Sequence, residues 1–359
     1  MSEALDSVLS LIGFFAGAMV LSAVINSFFL KFARNLGIRN KNDLNIRWSN
    51  TSKPSLGGIS FYLCYLLGFM IYAIMFGKTD VFQNEELLGL FFSINVAFLL
   101  GLSDDAYDTK PLIKLGSQIL CGVILVSTGN YIHLFEANWL NITITIIWVV
   151  GMMNSLNMLD NMDSITTTAS IFIILTILGI SLPFSLTNNV DLFLLITILG
   201  SLAGFLIFNW NPAKMFMGDT GSQFIGMFLA YYSIKFLWNR GIDDGEFSVF
   251  SNLTLVLVSF SVPIVDTTFV VLRRLNRRQN PMVGGKDHTT HALSYFGLSD
   301  KQVGYIFIVM AIVSSMLAYN IANFIPHGSL SLILMWLYVL MLLVIFISIA
   351  KMTSKSKKK

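Results

Sequence analysis

Three aspartates stand together at the end of an apolar run, in Gly101-Leu102-Ser103-Asp104-Asp105-Ala106-Tyr107-Asp108. Clustered carboxylates in an apolar chain repel one another unless a cation lies between them, and Mg²⁺ is the usual one where phosphates are handled. On a helical turn Asp104 and Asp108 share a face, with Asp105 offset by about 100°. A solvated acidic turn accounts for the same residues. Lys110 and Lys114 follow closely, and lysines beside acidic metal ligands suit a metal-bound, multiply charged phosphate.

Three further polar segments interrupt the apolar sequence. Asn154, Asn157, Asp160 and Asp163 end one apolar run, and capping explains one or two of them but not four. In 209–222, Gly218 and Gly221 bracket Asp219 and Thr220 ahead of another apolar run. Glycines let a ligand approach the backbone, and a helix start offers free N–H groups to an anion; a cap by Asp219 is the simpler alternative. In 273–302, Asp287-His288-Thr289-Thr290-His291 follows four arginines, and its two histidines could meet metal or phosphate. A zinc site is not expected, because no further His, Glu or Cys set completes one. Asp266 is an acid inside an apolar run, a candidate functional group or a partner for Arg273 and Arg274.

The elements that must carry these residues are membrane helices. Of 359 residues, 55% are hydrophobic and only 12% charged, against about 25% charged in soluble domains. The mean hydropathy is +0.72. Eleven apolar segments approach spanning length, at 8–30, 57–76, 88–102, 112–128, 140–156, 165–183, 190–208, 221–238, 250–272, 303–324 and 328–350. The expected fold is an all-α polytopic membrane protein of about 11 transmembrane helices, a single domain over 1–359. The start lacks a basic n-region, so the first run is expected to be a retained span. Cys64 and Cys121 lie in apolar runs and imply no disulfide. Gly13 and Gly17 form a GxxxG pattern, expected to mark close helix packing.

Numbering the loops alternately puts 20 of the 23 basic residues on one face, leaving Lys78, Arg240 and Lys235. The positive-inside rule makes that face cytoplasmic, with the N-terminus outside and the C-terminus inside. The segments 31–56, 101–114, 154–166, 209–222 and 273–302 fall on it. One-sided gathering favours an enzyme. The rival class, an ion-coupled transporter, should carry paired polar positions near the midplane, and none stands out.

Together, Lys53-Pro54-Ser55-Leu56-Gly57-Gly58 and the four segments, in this order, resemble the polyprenyl-phosphate N-acetylhexosamine-1-phosphate transferase family, glycosyltransferase family 4. That resemblance implies transfer of a sugar-1-phosphate from a UDP-sugar to undecaprenyl phosphate in the bacterial inner membrane, with UMP released. UDP-N-acetylglucosamine is the expected donor and phospho-MurNAc-pentapeptide transfer the alternative. It implies Mg²⁺, or Mn²⁺, on Asp104, Asp105 and Asp219, which are also the catalytic residues. Substrate contacts implied are Lys53, Asp108, Lys114, Asn157, Asp160, Asp163, Asn209, Phe216, His288 and His291, with Phe216 stacking on uridine and Lys114 holding the lipid phosphate. The partners are the two substrates and membrane lipids, with a homodimer as an open expectation and no nucleic acid. Three positions depart from the family's pattern: Asn161 and Ser164 replace glycines after aspartates, and Thr290 replaces a histidine.

Overall fold

The computed structural model describes residues 2–35, 53–75, 83–181, 190–241, 248–280, 285–324 and 330–356. Most of the basic segment 31–56, with Arg39, Lys41 and Arg47, lies outside the described residues, as do Lys78 and Lys357 to Lys359. The described residues form thirteen α-helices and no strand. They are α1 (Ser2–Asn35), α2 (Gly57–Met75), α3 (Glu85–Tyr107), α4 (Pro111–Ser127), α5 (Asn138–Leu159), α6 (Ile165–Ser181) and α7 (Val190–Asn209). Then come α8 (Gly218–Ser233), which runs into a π-helical turn (Ile234–Trp238), α9 (Val249–Ser259), α10 (Ser261–Asn276), α11 (Thr289–Phe296), α12 (Asp300–Asn323) and α13 (Leu330–Ser356).

Local chemistry sets several of these boundaries. The side chain of Asn84 accepts from the Leu87 amide at 3.1 Å to start α3, with Glu85 and Glu86 in the first turn, where the helix dipole favours negative charge. Pro111 opens α4, a position where its missing N–H costs nothing. Ser299 and Gln302 form a capping box at α12.

Seven helices are long and apolar enough to cross a membrane: those in α1, α2, α3, α5, α7, α12 and α13. The pair α9–α10 makes an eighth if counted as one bent span, while α4 and α6 are shorter apolar helices. The protein is therefore a multi-pass membrane protein. The run 250–272, expected as one span, is bent by 80° between α9 and α10. Pro263 causes this, since its ring collides with the carbonyl four residues back, and Ser259 is where α9 ends.

Helix α8 is central, buried along nearly its whole length and packed against α2, α3, α5 and α6. Peripheral helices α1 and α13 expose Leu9, Ile12, Val20 and Val24, and Leu334, Leu337, Leu340 and Val344, as a lipid-facing surface should. The GxxxG expectation moves: no atom lies within 4 Å of a Cβ built on Gly13 or Gly17. The tight α1–α7 contact instead uses Gly200 and Gly204 of α7, where a Cβ would come 2.3 Å from the carbonyl oxygens of Phe15 and Met19.

Charge appears at both ends of α3. At its start, Lys235 from the π-helical turn pairs with Glu86 at 3.0 Å and with buried Asp191 of α7 at 2.9 Å. Asp104 and Asp105 lie at the other end, about 27 Å away along the helix axis.

Candidate active site

The end of α3 meets the start of α8, and this junction gathers the carboxylates. One oxygen of Asp105 accepts from both the amide and the hydroxyl of Thr220, at 2.8 and 2.7 Å, so the α3 acid sits on the N-terminal turn of α8. Asp104 is buried; its Oδ1 accepts from the amide and hydroxyl of Thr109 at 2.9 and 2.7 Å, and its Oδ2 pairs with Lys114 at 2.5 Å. Asn157 of α5 donates to Asp219 at 2.5 Å and to Ser222 at 2.9 Å. Asp104, Asp105, Asp219, Lys114 and Asn157 thus come together from four helices. Beneath them, Gln118 of α4 donates to Asn154 at 3.2 Å and to Gln223 at 3.1 Å, a layer of amides bracing the same helices.

Asp219 stands ahead of the apolar run 221–238. Burial, then the charges of Asp105 and Asp104, push its carboxyl up to about 7. A set of carboxylates so crowded that one resists ionisation fits a divalent cation. Among the described residues no group of three or more His, Cys, Asp or Glu side chains is arranged to hold a metal ion by itself. Asp104, Asp105 and Asp219 are the side chains that could contribute to a divalent-cation site here, with waters and substrate phosphates completing the shell.

Close packing makes this junction possible. The amides of Gly57 and Gly58 donate to the carbonyls of Phe216 and Met217 at 3.2 and 3.0 Å, and the Phe216 amide donates to Pro54 at 2.9 Å. The two backbones run so near each other that a Cβ on Gly58 would lie 2.1 Å from the Gly221 amide nitrogen. This fixes Lys53, whose ammonium sits 5.1 Å from the Phe216 ring centroid and 3.7 Å from Asp163. Asp163 also accepts from the Ala213 amide at 2.8 Å and Asn211 at 3.1 Å.

Asn209 is buried, and its oxygen accepts from the Ser164 amide at 3.1 Å and the Thr167 hydroxyl at 2.8 Å, while its Nδ2 donates to the Met215 carbonyl at 3.1 Å. The amide expected against uridine therefore clamps two loops. Ser164, at a glycine position of the family pattern, keeps a left-handed backbone with φ 64°. Asp160 caps α5, its amide donating to Leu156 at 3.2 Å. Asp108 caps α3 with φ 51° and is exposed; it stays outside the carboxylate cluster.

The histidine segment is held by residues that spacing along the chain does not reveal. Asp266, fully buried in α10, meets His288 Nδ1 at 2.9 Å, and its other oxygen accepts from the Thr289 amide at 2.9 Å and hydroxyl at 2.5 Å. Its partners are thus in α11 and its cap. Arg274 instead makes a two-pronged pair with Asp287 at 2.9 and 2.7 Å. Burial works to raise the Asp287 carboxyl, yet the Arg274 guanidinium holds it below the ordinary carboxylate range. His291 is buried, and that burial, reinforced by neighbouring His288, pushes it down to about 3, so it is neutral at pH 7. The Thr290 hydroxyl donates to Asn161 at 2.5 Å, tying α11 to the 160–164 turn.

The sequence pattern of Glycosyl transferase family 4 matches residues 87–237, a stretch that holds the carboxylate junction and ends before the histidines. Over 276 residues the chain is 30% identical to the "Probable undecaprenyl-phosphate N-acetylglucosaminyl 1-phosphate transferase" of Bacillus subtilis (strain 168), covering 72% of this chain and 73% of that one. It is 28% identical over 269 residues to the undecaprenyl-phosphate alpha-N-acetylglucosaminyl 1-phosphate transferase of Thermotoga maritima, covering 75% of each. It is also 28% identical over 238 residues to the phospho-N-acetylmuramoyl-pentapeptide-transferase of Streptococcus agalactiae serotype Ia, covering 60% of this chain and 70% of that one. Identity of 30% across nearly three quarters of both chains means that the chain belongs to glycosyl transferase family 4, the polyprenyl-phosphate N-acetylhexosamine-1-phosphate transferases.

Proposed function

We propose that this protein transfers N-acetylglucosamine-1-phosphate from its UDP-sugar to undecaprenyl phosphate, releasing UMP and starting a lipid-linked cell-envelope glycan. The observation that carries the reading is the junction of Asp104, Asp105 and Asp219 with Lys114, where two anions can be brought together. Two of the relatives named above, those of Bacillus subtilis and Thermotoga maritima, bear this activity in their names. A polyisoprenoid stays in the bilayer while a nucleotide sugar is soluble, so the site must lie at the interface. The basic residues on the same side favour a cytoplasmic site in a bacterial inner membrane, with eleven spans, the N-terminus outside and the C-terminus inside.

In the reaction an oxygen of the lipid phosphate attacks the sugar-bearing phosphorus of the diphosphate. A P–O bond forms there as the bond to the bridging oxygen breaks, and UMP leaves with that oxygen. Mg²⁺ or Mn²⁺ held by Asp104, Asp105 and Asp219 would neutralise charge on the diphosphate. Lys114, paired with Asp104, would hold the lipid phosphate. Asp104 already accepts from Lys114 and Thr109, which favours its ionised form and suits it to holding charge more than to taking a proton. Asn157 orients Asp219 through Nδ2. Lys53 and Phe216 would form one wall for the nucleotide, and His288 and His291 would contact the phosphates or sugar, as the family pattern implies.

The muramoyl-pentapeptide donor is the second reading, since relatives of that name also match. Thr290 in place of a histidine, committed to Asn161, favours the plain N-acetylhexosamine. The test is purified protein with Mg²⁺, undecaprenyl phosphate and a panel of radiolabelled UDP-sugars. Lipid-linked product and UMP are expected with UDP-N-acetylglucosamine. Product only with the pentapeptide donor would select the second reading, and none with any donor would overturn both.

A further inference from the structure

Nothing in the reaction as written uses Asp266. It is the most deeply buried carboxylate of the described chain, 0% exposed, in the arm of the bent pair that leads to the arginines. Its two oxygens divide their work. Oδ1 accepts from the Thr289 amide and hydroxyl, which docks the start of α11. Oδ2 has His288 Nδ1 at 2.9 Å.

A carboxylate is acceptor-only when ionised, so the shared proton sits on His288 Nδ1. That leaves Nε2 as the one ring nitrogen able to reach a ligand. His291 is set the opposite way: the His288 backbone amide donates to His291 Nδ1 at 3.4 Å, so a neutral His291 carries its proton on Nε2. Two imidazoles three residues apart therefore hold opposite tautomers, each fixed by a buried partner.

We propose that Asp266 is the positioning residue of His288, locking the proton on Nδ1 and the ring in one orientation so that Nε2 meets the diphosphate of the donor. The carboxylate also balances a second proton on the ring, allowing His288 to donate from Nε2 to a phosphate oxygen in the transition state. Asp266 touches no substrate; it acts through the imidazole, as outer carboxylates do for other functional histidines. This rests on the transferase reading for its kinetic arm and on the structure alone for its tautomer arm.

The experiment uses full-length protein in nanodiscs with ¹⁵N-labelled histidine, His288 and His291 being assigned from His288→Gln and His291→Gln. In the wild type the His288 proton is expected on Nδ1 and the His291 proton on Nε2. Asp266→Asn keeps an oxygen for Thr289 and turns an amide donor to the ring, moving the His288 proton to Nε2. Turnover is expected to fall about 10- to 100-fold, with KM for the UDP-sugar changed less than threefold. In a His288→Gln background the same substitution should change turnover less than twofold. Thr289→Val, which removes one hydrogen bond of the same carboxylate but leaves the imidazole pair, should stay within threefold of wild type. A wild-type His288 proton on Nε2 overturns the proposal whatever the variants do. So does an Asp266→Asn protein with wild-type turnover, or an equal loss with and without His288. Wild-type protein inactive with every donor would sink the transferase reading, while the tautomer result stands apart from it.

Discussion

The Thr290 hydroxyl donates to the Asn161 side-chain oxygen at 2.5 Å, so two of the three positions at which the chain leaves its family's pattern are bonded to each other. A glycine at 161 would offer the Thr290 hydroxyl no side-chain acceptor. Asn161→Gly and Thr290→His should each lower the melting temperature, and the double variant should lose less than the sum. A coupling energy on the order of 1 kcal/mol is expected; strict additivity would show the bond to be incidental.

The carboxylate junction predicts loss of function without loss of fold. Asp104→Asn, Asp105→Asn and Asp219→Asn should each reduce product formation by at least about 10²-fold, with melting temperatures close to wild type. Chelation of divalent cations should abolish turnover, and added Mg²⁺ should restore it. A variant that retains near-wild-type rates would exclude its carboxylate as a required ligand.

Ser164 carries a Cβ in a backbone region that glycine prefers, at φ 64°. Ser164→Gly relieves that strain while loosening the unfolded chain, two opposed effects of about 1 kcal/mol or less. Stabilisation by a few tenths to about 1 kcal/mol is expected from thermal unfolding. A clear loss would mean the hydroxyl matters more than the dihedral.

His291 gives acid sensitivity a specific source. Its folded value near 3 lies below the ordinary 6.5. Between those limits the unfolded chain binds a proton that the folded chain refuses, so stability falls as pH drops from about 6.5. The slope approaches about 1.4 kcal/mol per pH unit. Asp287, held below the ordinary carboxylate range, keeps its full contribution down to about pH 4 and loses it only on further acidification. His291→Gln should therefore flatten the stability profile between pH 6.5 and 4; an unchanged profile would place the titrating group elsewhere.

Much of the site was legible because it violates the composition around it. Asp104, Asp105 and Asp219 stand out against apolar neighbours, and each lies where an apolar run begins or ends, as the structure shows. Among the described residues helices fall on the expected apolar segments, and seven of them, or eight with the bent pair, are long and apolar enough to span. What stayed hidden depends on pairing at long range. The elbow at Phe260 arises from one proline that a hydropathy window averages away. Asp266 could be flagged as a buried acid, yet both arginines were nearer in sequence than His288, and only the fold shows that Arg274 is engaged by Asp287. Asn209 and Asp108 matched the family pattern by position, but their places as a loop clamp and a helix cap depend on contacts that no spacing encodes. Asp191 lies at the head of an apolar run, and its pairing with Lys235 joins residues over forty positions apart.

The two glycines opposite Phe216 and Met217 differ in what genetics could do with them. At Gly57 the obstruction to a methyl group is the Phe205 ring, 2.2 Å from the new carbon; a smaller side chain at 205 would make room, so Gly57→Ala should have second-site suppressors. At Gly58 the obstruction is the peptide backbone of Thr220 and Gly221, which every amino acid shares. No exchange of side chains can move it. Suppressor selection on Gly58→Ala should return reversion alone, because the clash is with atoms that no second-site substitution can remove.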